Sequence, residues 1–147
     1  MAKFIYRMQS ILNIKEKLEE QARMEFAQAN ANLAIEEEKL EKLKERRLFY
    51  EEQGRKLQEN SLNVMNIMEN HNAIERMKEF IATQIMVVRR AEDEVEFARI
   101  KLTEAMQETK TQHKLKEKAF EEFIREENAR EAKEIDELTS YVYGQKR

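Results

Sequence analysis

The sequence contains no cysteine, no proline and only two glycines, Gly54 and Gly144. Without cysteine, a disulfide framework, a thiol nucleophile and a thiolate metal site are all excluded. Because proline and glycine punctuate the turns of globular folds, their scarcity over 147 residues leaves few folds other than long helices. No segment approaches the roughly 20 apolar residues of a membrane-spanning helix. Residues 1–7 also lack the apolar run of a signal peptide, so we expect a cytoplasmic protein without direct membrane insertion.

Neither positive nor negative charge predominates in the sequence. Charged residues make up 39% of the chain, yet the net charge is only -3 and the two signs are interspersed. This pattern is typical of solvated helix surfaces with local ion pairs. The densest basic pairs, Arg46-Arg47 and Arg89-Arg90, stand among acidic residues, so we expect no nucleic-acid binding.

Residues for catalysis are equally scarce. The two histidines, His71 and His113, lie far apart, and neither is paired at helical spacing with another metal ligand. Gly54 stands alone, which excludes a glycine-rich phosphate loop. A rod of two helices offers no concave, dry pocket in which acidic residues could act as an acid–base pair. We therefore expect no enzymatic activity, no cofactor and no metal.

The sequence does contain apolar residues at heptad spacing. In the first half they alternate at steps of four and three, with an extra step of four after Ala22 that predicts a stutter. The predicted seam of this half is Phe4, Met8, Ile11, Lys15, Leu18, Ala22, Phe26, Ala29, Leu33, Glu36, Leu40, Leu43, Arg47, Tyr50, Gly54 and Leu57. The second half repeats every seven residues at Ile67, Ile74, Ile81, Val88, Val95 and Leu102, and most are followed three residues later by Met77, Gln84, Ala91, Ala98 and Ala105. Sustained heptads in a charged background predict a coiled coil.

Residues 58–63 interrupt both registers and predict a turn, with Asn60 as a possible C-cap and Ser61 or Asn63 as a possible N-cap. The prediction is an all-α fold, a long antiparallel two-helix coiled-coil hairpin forming one domain over residues 1–147. Helix one is expected at about 3–58, the turn at about 59–63 and helix two at about 64–142. If the turn failed, the chain would be one long rod that needs a second chain.

A turn near Ser61 pairs residues whose numbers add up to about 122. Phe4 would then meet Phe120, and small residues would face each other in the middle, Ala22 and Ala29 against Ala91 and Ala98. About 25 residues at the C-terminus would remain unpaired although they keep an apolar stripe of Ile124, Asn128, Glu131, Ile135, Leu138 and Val142, with Tyr141 beside it. Such a stripe predicts a binding partner, or otherwise a frayed tail.

Polar residues occupy several seam positions, namely Lys15, Glu36, Arg47 and Gln84. They fix the register at a cost in stability. Alternatively, they loosen the hairpin so that partners can enter its seam.

Three segments resemble one known family. These are FIYRMQSILNIK at residues 4–15, NAIERMKE at 72–79 and KEIDELTSYVYG at 133–144. They resemble the flagellar export protein FliJ, and the resemblance covers the full length. It implies a cytoplasmic component of the flagellar type III export apparatus, associated peripherally with the cell membrane. It further implies a two-helix coiled coil similar to the central stalk of F-type ATP synthases.

The resemblance implies three partners: the hexameric export ATPase, the cytoplasmic domain of the export gate, and export chaperones. The stalk comparison places the paired termini in the ATPase ring, with docking expected through Phe4, Met8, Ile11, Ile135, Leu138, Tyr141 and Val142. The family's gate-binding patch matches Leu43, Arg47, Tyr50, Met77 and Ile81, where only Tyr50 agrees in residue type and where the predicted seam would compete for the same side chains. A passive coiled-coil spacer or a dimeric rod is the alternative function.

Overall fold

The computed structural model describes residues 2–60 and 63–145. Two long helices pack antiparallel as a hairpin, α1 over Gln9–Asn60 and α2 over Val64–Gln145. The predicted all-α hairpin is confirmed. Helix α1 begins about six residues later than the expected position 3, and α2 continues to Gln145 instead of ending near 142.

The late start of α1 has a local cause. Residues 2–6 are not helical, and the ring of Phe4 packs against the rings of Phe120 and Phe123 at centroid distances of 5.2 and 5.4 Å. A helix beginning at residue 3 would have no Ser, Thr, Asp or Asn immediately before it to cap its free N–H groups. Burial of the aromatic ring thus replaces a helical turn that would be weakly capped.

Helix α2 begins with an asparagine cap. The Asn63 side-chain oxygen accepts a hydrogen bond from the Asn66 N–H at 3.4 Å, and the Asn63 carbonyl accepts one from the Ile67 N–H at 3.1 Å. This agrees with the cap considered at Asn63. The alternative cap, Ser61, lies outside the described residues.

The chain divides into two compact units. Unit 1 is Met1–Gln21 with Thr103–Arg147, and unit 2 is Ala22–Leu102.

In unit 1, the Thr109 hydroxyl lies 3.2 Å from the Lys15 carbonyl oxygen, and Phe4 meets Phe120. Both pairs of residue numbers add up to 124. The expected contact between Phe4 and Phe120 is confirmed.

In unit 2, the Asn70 side chain donates to the Tyr50 carbonyl oxygen at 2.9 Å, and the Gln84 side chain donates to the Glu36 carbonyl oxygen at 2.9 Å. Both pairs add up to 120. The predicted value of about 122 therefore lies between those of the two units.

The seam of α1 differs from the prediction before Ala22. Leu12 is only 1% exposed, whereas Ile11 is 39% exposed and the side chain of Leu18 is also largely in solvent. Inward-facing positions from Leu12 onward alternate regularly at steps of three and four, through Lys15, Glu19, Ala22, Phe26 and Ala29. The predicted stutter after Ala22 is therefore absent, because the true heptad line runs one residue away from the predicted one.

The α2 seam follows the sequence prediction. The buried residues of unit 2 include Met77, Ile81, Val88, Ala91 and Ala98. On α1, Ala22 is buried and Ala29 is half-buried. Small residues can be buried this fully in a two-helix pair only where the helices approach closely.

Candidate interaction sites

The C-terminal tail, defined as residues 128–145, is helical, and every side chain in it is exposed. Leu138 is 68% exposed, and Ile135, Tyr141, Val142 and Tyr143 are similarly open to solvent. The ring of Phe4, in the segment before α1, packs near Phe123 at the end of the paired part of α2. The expected apolar stripe without an internal partner is therefore present, as a continuous helix.

The tail stripe, defined as Ile135, Leu138 and Val142, lies on a different face of α2 from the seam. At 100° per residue these three side chains point on average about a quarter of a turn away from the line through Phe123. That line continues into the tail through the charged residues Arg130, Glu134 and Glu137, and it reaches Tyr141. The tail stripe would therefore point largely to one side of a longer α1, and it is suited to a different partner.

The predicted docking residues of the N-terminal segment have mixed surroundings. Phe4 is half-buried because its ring packs on α2, so little of it is free for a partner. Met8 and Ile11 are exposed at the start of α1. Tyr141 is exposed, and its hydroxyl accepts a hydrogen bond from the Gln145 side chain at 2.7 Å.

The predicted gate-binding residues lie at the seam. Met77 and Ile81 are buried, and Leu43 is half-buried at the level of Met77. The Arg47 guanidinium pairs with Glu51 at 3.1 Å, and the Tyr50 carbonyl accepts the Asn70 hydrogen bond. A partner approaching from outside can reach the edges of Arg47 and Tyr50 but not Met77 or Ile81.

The polar residues of the seam are satisfied by partners across it. The Gln84 amide donates to both the carbonyl and the carboxylate of Glu36, at 2.9 and 2.6 Å. Hydrogen bonding by Gln84, assisted by nearby Lys39, lowers the pKa of the Glu36 carboxyl below its ordinary value. Lys15 pairs with Glu108 at 2.8 Å. No buried side-chain polar atom of the described residues lacks a partner.

Sequence reasoning missed several seam residues. Leu12 was passed over for Ile11, although counting back from Ala22 at steps of three and four would have found it. Asn70 and Thr109 were not recognised as seam residues, because only apolar positions and obvious charges were counted.

The described residues hold no cluster of three or more possible metal ligands. Among the helices that the structure describes, none has the length and apolar character to span a membrane.

The fold resembles that of a solved structure, a proposed YscO homolog from Chlamydia trachomatis. The TM-score is 0.70, the sequence identity is 22%, and the match covers 96% of each chain. At this identity the likeness concerns the fold alone. Comparison with curated proteins gives no match.

The family comparison is more specific. Residues 4–147 match the family model described as Flagellar FliJ protein. The match includes all three segments on which the sequence resemblance was based, and it extends through the exposed tail. This chain therefore belongs to the FliJ family, a non-catalytic component of flagellar type III protein export.

Proposed function

We propose that this chain acts as a stalk-like docking protein, whose C-terminal tail binds the hexameric export ATPase. The observation that supports the proposal is the tail stripe of Ile135, Leu138 and Val142, exposed on a continuous helix beyond the last contact with α1. An apolar stripe of this kind lowers the free energy of the system only when a partner covers it.

The magnitudes agree with docking by a small number of side chains. Each large apolar side chain contributes about 1.5–3 kcal/mol when fully buried. Three of them offset only part of the several kcal/mol that association costs. Further contacts are needed, and the exposed Met8 and Ile11 at the start of α1 are the best placed of the predicted N-terminal residues.

Binding to the export gate is the second part of the proposal. In this proposal the gate contacts Arg47 and Tyr50 of the predicted gate patch while α1 and α2 remain paired. Met77 and Ile81 support these residues from the buried side of the seam. Binding of export chaperones rests on family membership only, and we assign it to no residue.

The docking proposal is tested by Leu138→Asp, with Ser140→Asp as the matched control. Ser140 is also exposed on the tail but lies away from the tail stripe, so it adds the same charge without entering the contact. We expect Leu138→Asp to weaken binding to the export ATPase of the same cell by at least about tenfold, because it places a carboxylate in an apolar contact. Pull-down and binding titration measure this, and circular dichroism checks that both variants keep their helix content.

Equal binding by the two variants would remove the tail stripe from the mechanism. The alternative function, a passive coiled-coil spacer, would be supported if the wild-type chain itself did not bind the ATPase.

A further inference from the structure

Unit 2 has a second surface, formed by exposed residues that do not take part in the seam. Arg46, Arg76 and Arg90 are exposed, and within the described residues none of them forms an ion pair. Between them lie Phe80, which is 52% exposed, and Val87, which is also accessible. We call these five residues the arginine face.

The five residues lie on one side of the helix pair. Each of them stands immediately before a seam residue, as Phe80 does before Ile81 and Arg46 does before Arg47. One residue back along a helix is a rotation of about 100°. Because α1 and α2 run antiparallel, that rotation turns both helices toward the same side.

The two sides differ in charge. The residues that immediately precede seam positions within 32–49 and 73–90 include five basic residues and no acidic one. Those that immediately follow the same seam positions include five acidic and three basic residues. Two of the five basic residues, Lys39 and Lys42, pair with Glu36 and Glu38 of their own helix at 3.3 and 3.4 Å. The three arginines keep their charge free for a partner.

The tail has the complementary chemistry. Glu131 stands in line with the tail stripe, and Glu134 lies beside it. Both are exposed, and neither forms an ion pair in the described part of the chain. The basic residues of this region do not offset these charges, since Lys133 lies on the opposite face of the helix and Arg130 pairs with Glu127 at 3.0 Å. The tail is thus an apolar stripe with acidic neighbours, and the arginine face is an apolar surface with basic neighbours.

We propose that the arginine face of one copy of this chain binds the C-terminal tail of a second copy, which lies along it as a third helix. Phe80 and Val87 cover the tail stripe, and Arg46 and Arg76, which lie at nearly the same level of the helix pair, bind Glu131 and Glu134. The contact is heterologous, since the two copies use different surfaces, so it can extend beyond a dimer. Because the tail stripe is also the surface proposed to dock on the ATPase, self-association and docking exclude each other.

Sedimentation velocity of the full chain tests the proposal. Over about 10–500 µM, the range expected for a small, partly ionic contact, the weight-average sedimentation coefficient should rise with concentration and fall again at high salt. The double variant Arg46→Glu with Arg76→Glu should weaken self-association by at least about tenfold. The control, Lys78→Glu with Arg89→Glu, makes the same change of charge on the opposite side and should leave self-association within about twofold.

A charge exchange sharpens the test. Glu131→Arg with Glu134→Arg should weaken self-association when tested alone, and mixing this variant with Arg46→Glu, Arg76→Glu should restore it. A chain that stays monomeric throughout the concentration range overturns the proposal, as does equal weakening by the control variant.

The outcome is separable from that of ATPase docking. Arg46→Glu with Arg76→Glu should keep full ATPase binding, while Leu138→Asp should lose both interactions. If Leu138→Asp loses ATPase binding but still self-associates, the arginine-face proposal is wrong and the proposed function stands.

Discussion

Three polar side chains of α2 end inside the seam and reach main-chain oxygens of α1. They are Asn70, Gln84 and Thr109, and their acceptors are the carbonyls of Tyr50, Glu36 and Lys15 at 2.9, 2.9 and 3.2 Å. An apolar heptad seam tolerates a slip of one heptad, because each apolar residue meets another of its kind. A buried amide that has lost its carbonyl costs about 1–3 kcal/mol, so these residues hold the hairpin in one register.

Gly54 makes room for one of these bonds. A Cβ atom at this position would lie 2.5 Å from the Asn70 side-chain oxygen, so Gly54→Ala must displace the amide from Tyr50. Alanine gains about 0.8–1 kcal/mol in helix propensity, and the lost hydrogen bond costs a similar amount. We expect Gly54→Ala to be nearly neutral in the wild-type chain but stabilising by about 1 kcal/mol when Asn70 is already alanine. Urea unfolding followed by circular dichroism measures both.

Gly144 serves as the control in this cycle. A Cβ atom there meets nothing within 4 Å, so Gly144→Ala should have the same effect with Asn70 or with Ala at position 70. Equal stabilisation by Gly54→Ala in both backgrounds would show that Asn70 does not depend on the glycine.

At the scale of the helix, α1 differs most from its prediction in its first two turns. Phe4 is correctly placed against Phe120, but extending the heptad from Phe4 assumed a continuous helix from residue 3. The helix begins at Gln9, so Phe4 reaches α2 from a non-helical segment and gives no information on the heptad phase. The phase is fixed by Leu12 instead.

Leu12→Ala and Ile11→Ala therefore test the corrected seam. Leu12 is almost fully buried, and we expect its truncation to lower the free energy of unfolding by about 2–4 kcal/mol. Ile11→Ala should cost less than about 1 kcal/mol, since its side chain already contacts solvent. Urea denaturation measures the free energy of unfolding of both variants. A larger loss of stability for Ile11→Ala than for Leu12→Ala would support the heptad phase predicted from the sequence.

Helix α2 shows how one helix can have two apolar faces. Its seam residues recur every seven positions from Ile67 to Leu102. In the tail the seam line carries charge, and the apolar residues move to another face. Ile124 lies two heptads before Leu138, so the apolar face of the tail begins beside the seam at Phe123 and continues past the point where pairing ends.

At the scale of the whole chain, the tail should contribute little to the stability of the protein in isolation. None of its side chains is covered by α1, so a chain ending at Glu127 should unfold within about 1 kcal/mol of the full-length protein. Phe123→Ala, which removes the ring that packs on Phe4, should cost more than about 1 kcal/mol. Urea unfolding measures both, and a large loss on truncation would mean that the tail packs on its own chain.

The amino-acid sequence alone determined the helical class, the antiparallel pairing and the position of the turn within a few residues. The reason is that heptad spacing, the absence of proline and a cluster of polar residues at 58–63 are local signals. It also determined that the last residues of α2 would lack a partner within the chain, since the helices differ in length.

Only the tertiary structure decided which side chains are available to a partner. It buried Met77 and Ile81 of the predicted gate patch, half-buried Phe4, and separated the arginine face from the acidic side of unit 2. These outcomes depend on the helical phase and on which helix lies opposite, and a shift of one residue rotates a side chain by about 100°. Such a shift keeps the spacing between apolar residues along the sequence, but it changes which side chains are exposed to solvent.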